Sequence, residues 1–231
     1  MIVMRFNLLI PNMEKSNYII SLGNSCSVAY QKQKLGIKEE TYPFDWIRIE
    51  SLTDIIDVLN SSFDEFANNL IKVSESDKFP IFMGEGTDKF PDPEKQSQSK
   101  SIIMKNRYNM KFYHDFDSTT NPISVEEKYK RRIHRFTELI KSNNNICFVR
   151  DELKPSKITT EVVLKFIDAI KKINDKVNFR LIIVLHQPKD NHELIINNIN
   201  NIYVKIIIDK CEFGDWTRPN VEWPTIFLSS Q

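Results

Sequence analysis

The feature that most constrains this chain is an alternation in its second half. Three nearly unbroken apolar runs, ICFVR at 146–150, FRLIIVL at 179–185 and IYVKIIID at 202–209, are separated by stretches of helical periodicity. A strand that is apolar at consecutive positions has no face left for water, so both of its faces must be covered. Between and around these runs, Ser124 with Glu127 forms a capping-box pattern. It opens a helix whose Tyr129, Ile133, Phe136, Leu139 and Ile140 share one stripe. A helix over 160–172 and a short one near His192 follow. Upstream, YIISL at 18–22 reads as a strand ending at Gly23, with Ser25 or Ser27 capping a helix to about Lys34. Strand and helix in alternation predict an α/β fold: one three-layer α/β/α domain over 1–231 with a mostly parallel sheet.

The remaining segments are less periodic. Residues 39–46 read as a loop, SLTDIIDVLN from Ser51 as a helix burying Leu52, Ile55, Ile56 and Leu59, and 63–73 as a second helical stretch. Two prolines and many polar residues make 87–101 an exposed loop insertion, and 102–105 is extended. The segment carrying Trp216 and Trp223 packs back on the body. In 231 residues, 32 Lys and Arg face 31 Asp and Glu, a net charge of +1 that offers no basic stripe for nucleic acid. No apolar run reaches the ~20 residues of a membrane helix. The N-terminal apolar stretch is interrupted by Arg5 and lacks a signal-cleavage pattern, so a soluble, cytoplasmic protein is expected. Cys26, Cys147 and Cys211 are odd in number and widely spaced, with no CxxC pair for a zinc site or a dithiol centre, so no metal is expected.

In parallel α/β sheets, sites gather beyond the carboxyl ends of the strands. That rule nominates Gly23-Asn24-Ser25-Cys26, Arg150, His186 and Asp209. Cys26 falls at the start of a helix, where free N–H groups favour a thiolate. A thiol of ordinary pKa ~8.5 drops to roughly 3.5–7.5 in such settings. Its own N–H and the Asn24 amide would face a developing oxyanion. The alternative is a small packing residue, which is what Cys147 inside its apolar strand is expected to be. A cysteine nucleophile needs a base. His134 and His192 lie in polar surroundings, His114 among aromatics and His186 at a strand end; spacing does not choose between the last two. Arg150 binds a substrate anion or pairs with Asp45.

Taken in order, ISLGNSCSVA at 20–29, YPFDW at 42–46, His114-Asp115-Phe116 and Phe148-Val149-Arg150 resemble the family of predicted papain-like cysteine peptidases of large DNA viruses and bacteria. The resemblance runs from about residue 19 to 150 and more loosely to the C-terminal tryptophans. It implies Cys26 as nucleophile, His114 as base, and Asp45 or Asp115 as the orienting acid. Asp45 has the alternative of a buried turn whose carboxylate accepts backbone hydrogen bonds. Two departures stand out. Papain-type proteins use a Gln upstream of the nucleophile, whereas Ile20 lies upstream here and Asn24 has to stand in. The pattern also looks parallel, closer to SGNH or Rossmann-like folds than to papain. Gly23-Asn24-Ser25 resembles the Gly-Asp-Ser turn of SGNH hydrolases, but their late Asp-x-x-His is absent.

The expected function is a cysteine-dependent hydrolase acting through a thioester on a peptide or acyl substrate, with Asn24, Arg150 and His186 binding it. That chemistry needs no cofactor. Its setting is the cytoplasm, the host's for a viral member. Two rivals are a transferase holding a phosphate or sugar-phosphate at the Gly23 turn with Arg150, and an inactive module that binds a host or partner protein. Neither nucleic acid nor membrane is expected as a partner.

Overall fold

The computed structural model describes residues 18–37, 40–79, 81–82, 96–97, 99–187, 202–212 and 214–228. In chain order the elements are β1 (Tyr18–Ser21), α1 (Ser27–Lys34), β2 (Ile47–Arg48), α2 (Leu52–Asn60), β3 (Ile71–Ser76), β4 (Ile81–Phe82), β5 (Gln96–Ser97), β6 (Ser101–Lys105) and β7 (Lys111–Phe112). Then follow α3 (Pro122–Lys141), β8 (Asn145–Glu152), a 3-10 turn at Pro155–Lys157, α4 (Thr160–Ile173), β9 (Asn178–His186), β10 (Tyr203–Asp209) and α5 (Trp223–Leu228). Strands β1, β8, β9 and β10 form a parallel sheet in that order.

The apolar runs do what continuous hydrophobicity requires. Side chains alternate across a strand, so neighbouring residues enter opposite layers. Ile20, Phe148, Leu181 and Ile183 join one core with Ile55, Phe136, Phe166 and Ile170 from α2, α3 and α4. Ile19, Cys147, Val149, Ile182 and Val184 join a second with Val28 of α1 and with Trp223, Ile226 and Phe227 of α5. The sheet is therefore a middle layer between two helical layers, as predicted. Phe148 sits at the centre of the first core, with its ring 5.5 Å from Phe179 and 5.6 Å from Phe166.

Helix α1 docks differently. Its buried residues include Ser27, Gln31 and Lys32 as well as Val28 and Ala29. Each polar member reaches a fixed acceptor: Ser27 Oγ donates to Asp151 (2.8 Å), Gln31 Nε2 to the Thr217 carbonyl (2.6 Å), and Lys32 Nζ to the Ile19 carbonyl. Directional bonds thus set the position of α1, where α2 and α4 rely on apolar area.

Four of the expected elements differ in the structure. Residues 63–73 are not helical: 61–70 form successive turns, with Ser62, Phe63, Glu65 and Asn69 at φ between 51° and 62°, and 71–76 are β3. Short polar residues compete for the backbone there, and the turns carry Phe63 and Phe66 into an aromatic cluster with Phe44 and Phe136. Helix α3 starts at Pro122, capped by Asn121 rather than Ser124, because proline at the first position presets the helical φ. A true capping box occurs instead at Ser51 and Asp54. Neither Ser25 nor Ser27 is the N-cap of α1; that position is Cys26. Of the loop expected over 87–101, residues 87–95 and 98 lie outside the described residues, Gln96–Ser97 pair with Ile81–Phe82, and Ser101 is buried at the start of β6. The helix expected near His192 also lies outside the described residues.

A second sheet was not anticipated. Strands β2, β7, β6 and β3 pair antiparallel in that order. Its inner residues Ile47 and Phe112 belong to the same core as Ile20 and Phe148, so both sheets share one hydrophobic body.

Gly23, at the exit of β1, has φ +67°, and a Cβ there would lie 2.7 Å from Ile49 Cδ1. Gly36 has nearly the same φ, +68°, with nothing within 4 Å. Both Gly→Ala changes carry the left-handed penalty of ~1 kcal/mol, but Gly23→Ala adds a steric clash of ~1–3 kcal/mol. Urea unfolding of the two variants should therefore place Gly23→Ala clearly below Gly36→Ala; equal losses would contradict the packing at Ile49.

Candidate active site

The parallel register gathers the nominated residues at one end of the sheet. Ser21 lies beside Val149, so the turn 22–26 continues just past the point where Arg150, Asp151 and Glu152 end β8; His186 and Asp209 are register partners at the ends of β9 and β10. Cys26 caps α1, its carbonyl accepting the Tyr30 N–H at 2.9 Å. Its sulfur is half-buried and lies 3.8 Å from Nε2 of His114. Cys147 is fully buried in the sheet, as expected.

The imidazole comes from the antiparallel sheet. His114 follows β7, which pairs with β2 at Ile47–Phe112 and Arg48–Lys111. The next residue, Ile49, donates its N–H to the Asn24 carbonyl at 3.3 Å. The strand pair is thus joined to the Cys26 turn by a backbone hydrogen bond. Phe79 packs edge-on against both Tyr113 (4.5 Å) and His114 (6.3 Å). Burial, foremost, pushes the Tyr113 phenol up, with the Glu50 and Cys26 charges adding to it and Arg48 opposing.

Both candidate acids have bonds in their own surroundings. Asp45 is fully buried, and its Oδ2 accepts the Tyr42 N–H at 2.9 Å while its own N–H donates to the Tyr42 carbonyl at 3.3 Å. That is the buried-turn alternative. Asp115 accepts from Tyr129 Oη at 3.0 Å and pairs with Lys128, both on α3. Burial alone would raise its carboxyl; the Lys128 and Arg132 charges, with a contribution from His114, outweigh that and hold it below the usual range.

Arg150 does not pair with Asp45. It is fully buried; Nε and Nη2 donate to Glu152 Oε2 (3.1 and 2.8 Å), Nη1 to the Leu22 carbonyl (2.8 Å), and Nη2 also to the Ile49 carbonyl (3.1 Å). With no exposed surface it supports the turn from below and does not face solvent as a substrate contact would. Residues two apart on a strand share a face, which is why Glu152 is its partner. Asn24, at φ 79°, donates Nδ2 to Glu152 Oε1 at 3.0 Å. His186 Nδ1 lies 3.0 Å from Asp209 Oδ2, with Arg218 bonded to the same carboxylate. Burial would raise Asp209, but His186 and the Cys211 N–H, together with Arg218, hold it down. Sequence reasoning missed Glu152, Asp151 and Arg218. Glu152 carried a signal, its i+2 spacing from Arg150; Arg218 carried none. No cluster of three or more His, Cys, Asp or Glu suited to a metal occurs among the described residues, and none of their helices is long and apolar enough to cross a membrane.

A half-buried thiol at a helix cap thus lies beside a half-buried imidazole, with a buried charge network at the end of the same sheet. The family model described as "Putative papain-like cysteine peptidase (DUF1796)" matches residues 17–189. The chain belongs to that family. It is similar to uncharacterized protein R408 of Acanthamoeba polyphaga mimivirus, with 34% identity over 228 residues, covering 94% of this chain and 100% of the relative. No solved structure matches it.

Because Asp115 titrates lower folded than unfolded (~3.9 unfolded), its ion pair stabilises the protein above that pH and loses its effect as pH falls through the folded value. Asp115→Asn should cost ~1.5–3 kcal/mol at pH 7, and the gap from the parent protein should close as pH falls below the ordinary carboxylate range. Urea melts at several pH values test this; a pH-independent gap would contradict the charged pairing.

Proposed function

We propose that the chain is a cysteine-dependent acyl hydrolase, a peptidase or amidase. The observation that carries the reading is the 3.8 Å approach of Cys26 Sγ to His114 Nε2 at the start of α1. His114 accepts the thiol proton as sulfur attacks the carbonyl carbon. The S–C bond forms, the leaving group departs with the proton from His114, and water then cleaves the thioester with His114 again acting as base. The Cys26 N–H and the second Nδ2 hydrogen of Asn24 receive the oxyanion, the first being spent on Glu152. Helix-start N–H groups favour the thiolate. Asp115, close enough to His114 for their charges to interact, favours the protonated ring, while Asp45 keeps the turn 42–45 closed. The phosphate-binding rival has lost its cation, since every described bond of the Arg150 guanidinium is internal.

The three cysteines provide an internal comparison. Cys147 is buried, and hydrogen bonding to Asp209, foremost, pushes the Cys211 thiol up, so Cys211 reacts more slowly at neutral pH than a free thiol would. Iodoacetamide at pH 7 followed by peptide mapping should label Cys26 first, and His114→Ala should slow that labelling ~10-fold or more, within the range seen for proton-transfer groups. An unreactive Cys26 in the folded protein would favour the binding-module reading.

A further inference from the structure

The three residues that end β8 grip the turn around Cys26 from both faces of the sheet. Arg150 and Glu152 point to one face, the one that holds Phe148, and engage residues before Cys26: Arg150 takes the Leu22 carbonyl (2.8 Å) and Glu152 the Asn24 amide (3.0 Å). Asp151 points to the other face and accepts from Ser27 Oγ, after Cys26, at 2.8 Å; Ser27 Oγ in turn accepts from Ser25 Oγ at 3.0 Å. All three side chains are fully buried.

Glu152 is the hub. Oε1 receives Asn24 Nδ2 and the Lys154 N–H (2.8 Å), Oε2 receives Arg150 twice, so four charge-assisted bonds converge on one carboxylate. The backbone it holds is unusual, with Gly23 and Asn24 consecutively left-handed at φ 67° and 79°. A non-glycine residue rarely keeps that conformation unless its surroundings impose it. Here Ile49 closes the frame, donating to the Asn24 carbonyl and accepting from Arg150.

We propose that Glu152 and Asp151 are positioning residues for Cys26: by clamping Asn24 on one side and Ser27 on the other, they fix the sulfur against His114. Neither touches the substrate. This rests on the cysteine-hydrolase reading and deepens it. A displacement of about 1 Å at a reacting group can cost ~10²-fold, so loosening either clamp should be legible in the chemistry of Cys26 and silent at Cys211.

The test uses the full chain with Glu152→Gln, which keeps shape and removes the charge, and Ser27→Ala, which releases Asp151 with a minimal change in volume. The rate of Cys26 carboxymethylation is followed against pH, with Cys211 in the same molecule as reference and the thermal midpoint recorded. Both variants should slow Cys26 at pH 7 at least ~5-fold and shift its pH profile, with Cys211 unchanged. Should Glu152→Gln fail to fold, Ser27→Ala decides. If the parent Cys26 is fast and the folded variants match it in rate and profile, with only the melting point lowered, the residues are merely structural and the positioning proposal is overturned. If the parent Cys26 is no faster than Cys211, the hydrolase reading falls and takes this proposal with it.

Discussion

A carboxylate and a guanidinium with no exposure to water have to find every bond inside the protein, and the arrangement around Arg150 and Glu152 follows from that requirement. Removing either partner would leave the other charged and unpaired, at a cost of ~3–5 kcal/mol. The pair is therefore tolerable only if the surrounding backbone supplies the remaining partners, and here it does: the carbonyls of Leu22 and Ile49, the N–H of Lys154 and the amide of Asn24. Those four groups come from three segments. The constraint joins the exit of β1, the residue after β2 and the end of β8 into one block, and that block is the floor beneath Cys26.

The same end of the sheet carries a second block on its other face. Asp151 faces Ser27, and Arg218 reaches toward both Asp151 (3.6 Å) and Asp209, beside His186. Burial, foremost, pushes the Asp151 carboxyl up, with Arg218 and Ser27 opposing. Arg218 also fixes the C-terminal segment, since its carbonyl accepts from Trp223 Nε1 at 2.8 Å. The start of α5 is thereby tied to the ends of three strands. His186 joins this block through its Nδ1, which lies against Asp209 and Arg218.

What was legible in the sequence follows from physics of different range. Runs such as FRLIIVL announced a two-sided strand because hydrophobicity at consecutive positions has one main structural meaning at that length. Strands of two residues, β2 and β7, have no period to detect, so the antiparallel sheet that carries His114 stayed hidden. The start of α3 was misplaced because Ser124 satisfied a local pattern while Pro122 fixed the backbone earlier. At the site, Cys26 and His114 emerged from ordered motifs, whereas Arg150 was matched with Asp45 for want of a rule weighing the nearer Glu152. Asp45 and Tyr42 close a turn on each other, the alternative that the sequence left open for Asp45.

The two sheets resolve the tension between a parallel α/β pattern and a papain-like family. Cys26 rides on a helix fed by the parallel sheet, His114 on the turn after an antiparallel strand, and neither sheet alone holds both. Beside Cys26 their junction runs through Ile49: its N–H to Asn24, the Arg150 bond to its carbonyl, and the close approach of Gly23 to its side chain. A sulfur on the cap of α1 lies 3.8 Å from an imidazole that follows β7, an approach that draws on both sheets. What it requires is that the junction be rigid. That explains why buried charge, a left-handed pair of residues and a glycine with no room for a side chain all converge within a few residues of Cys26.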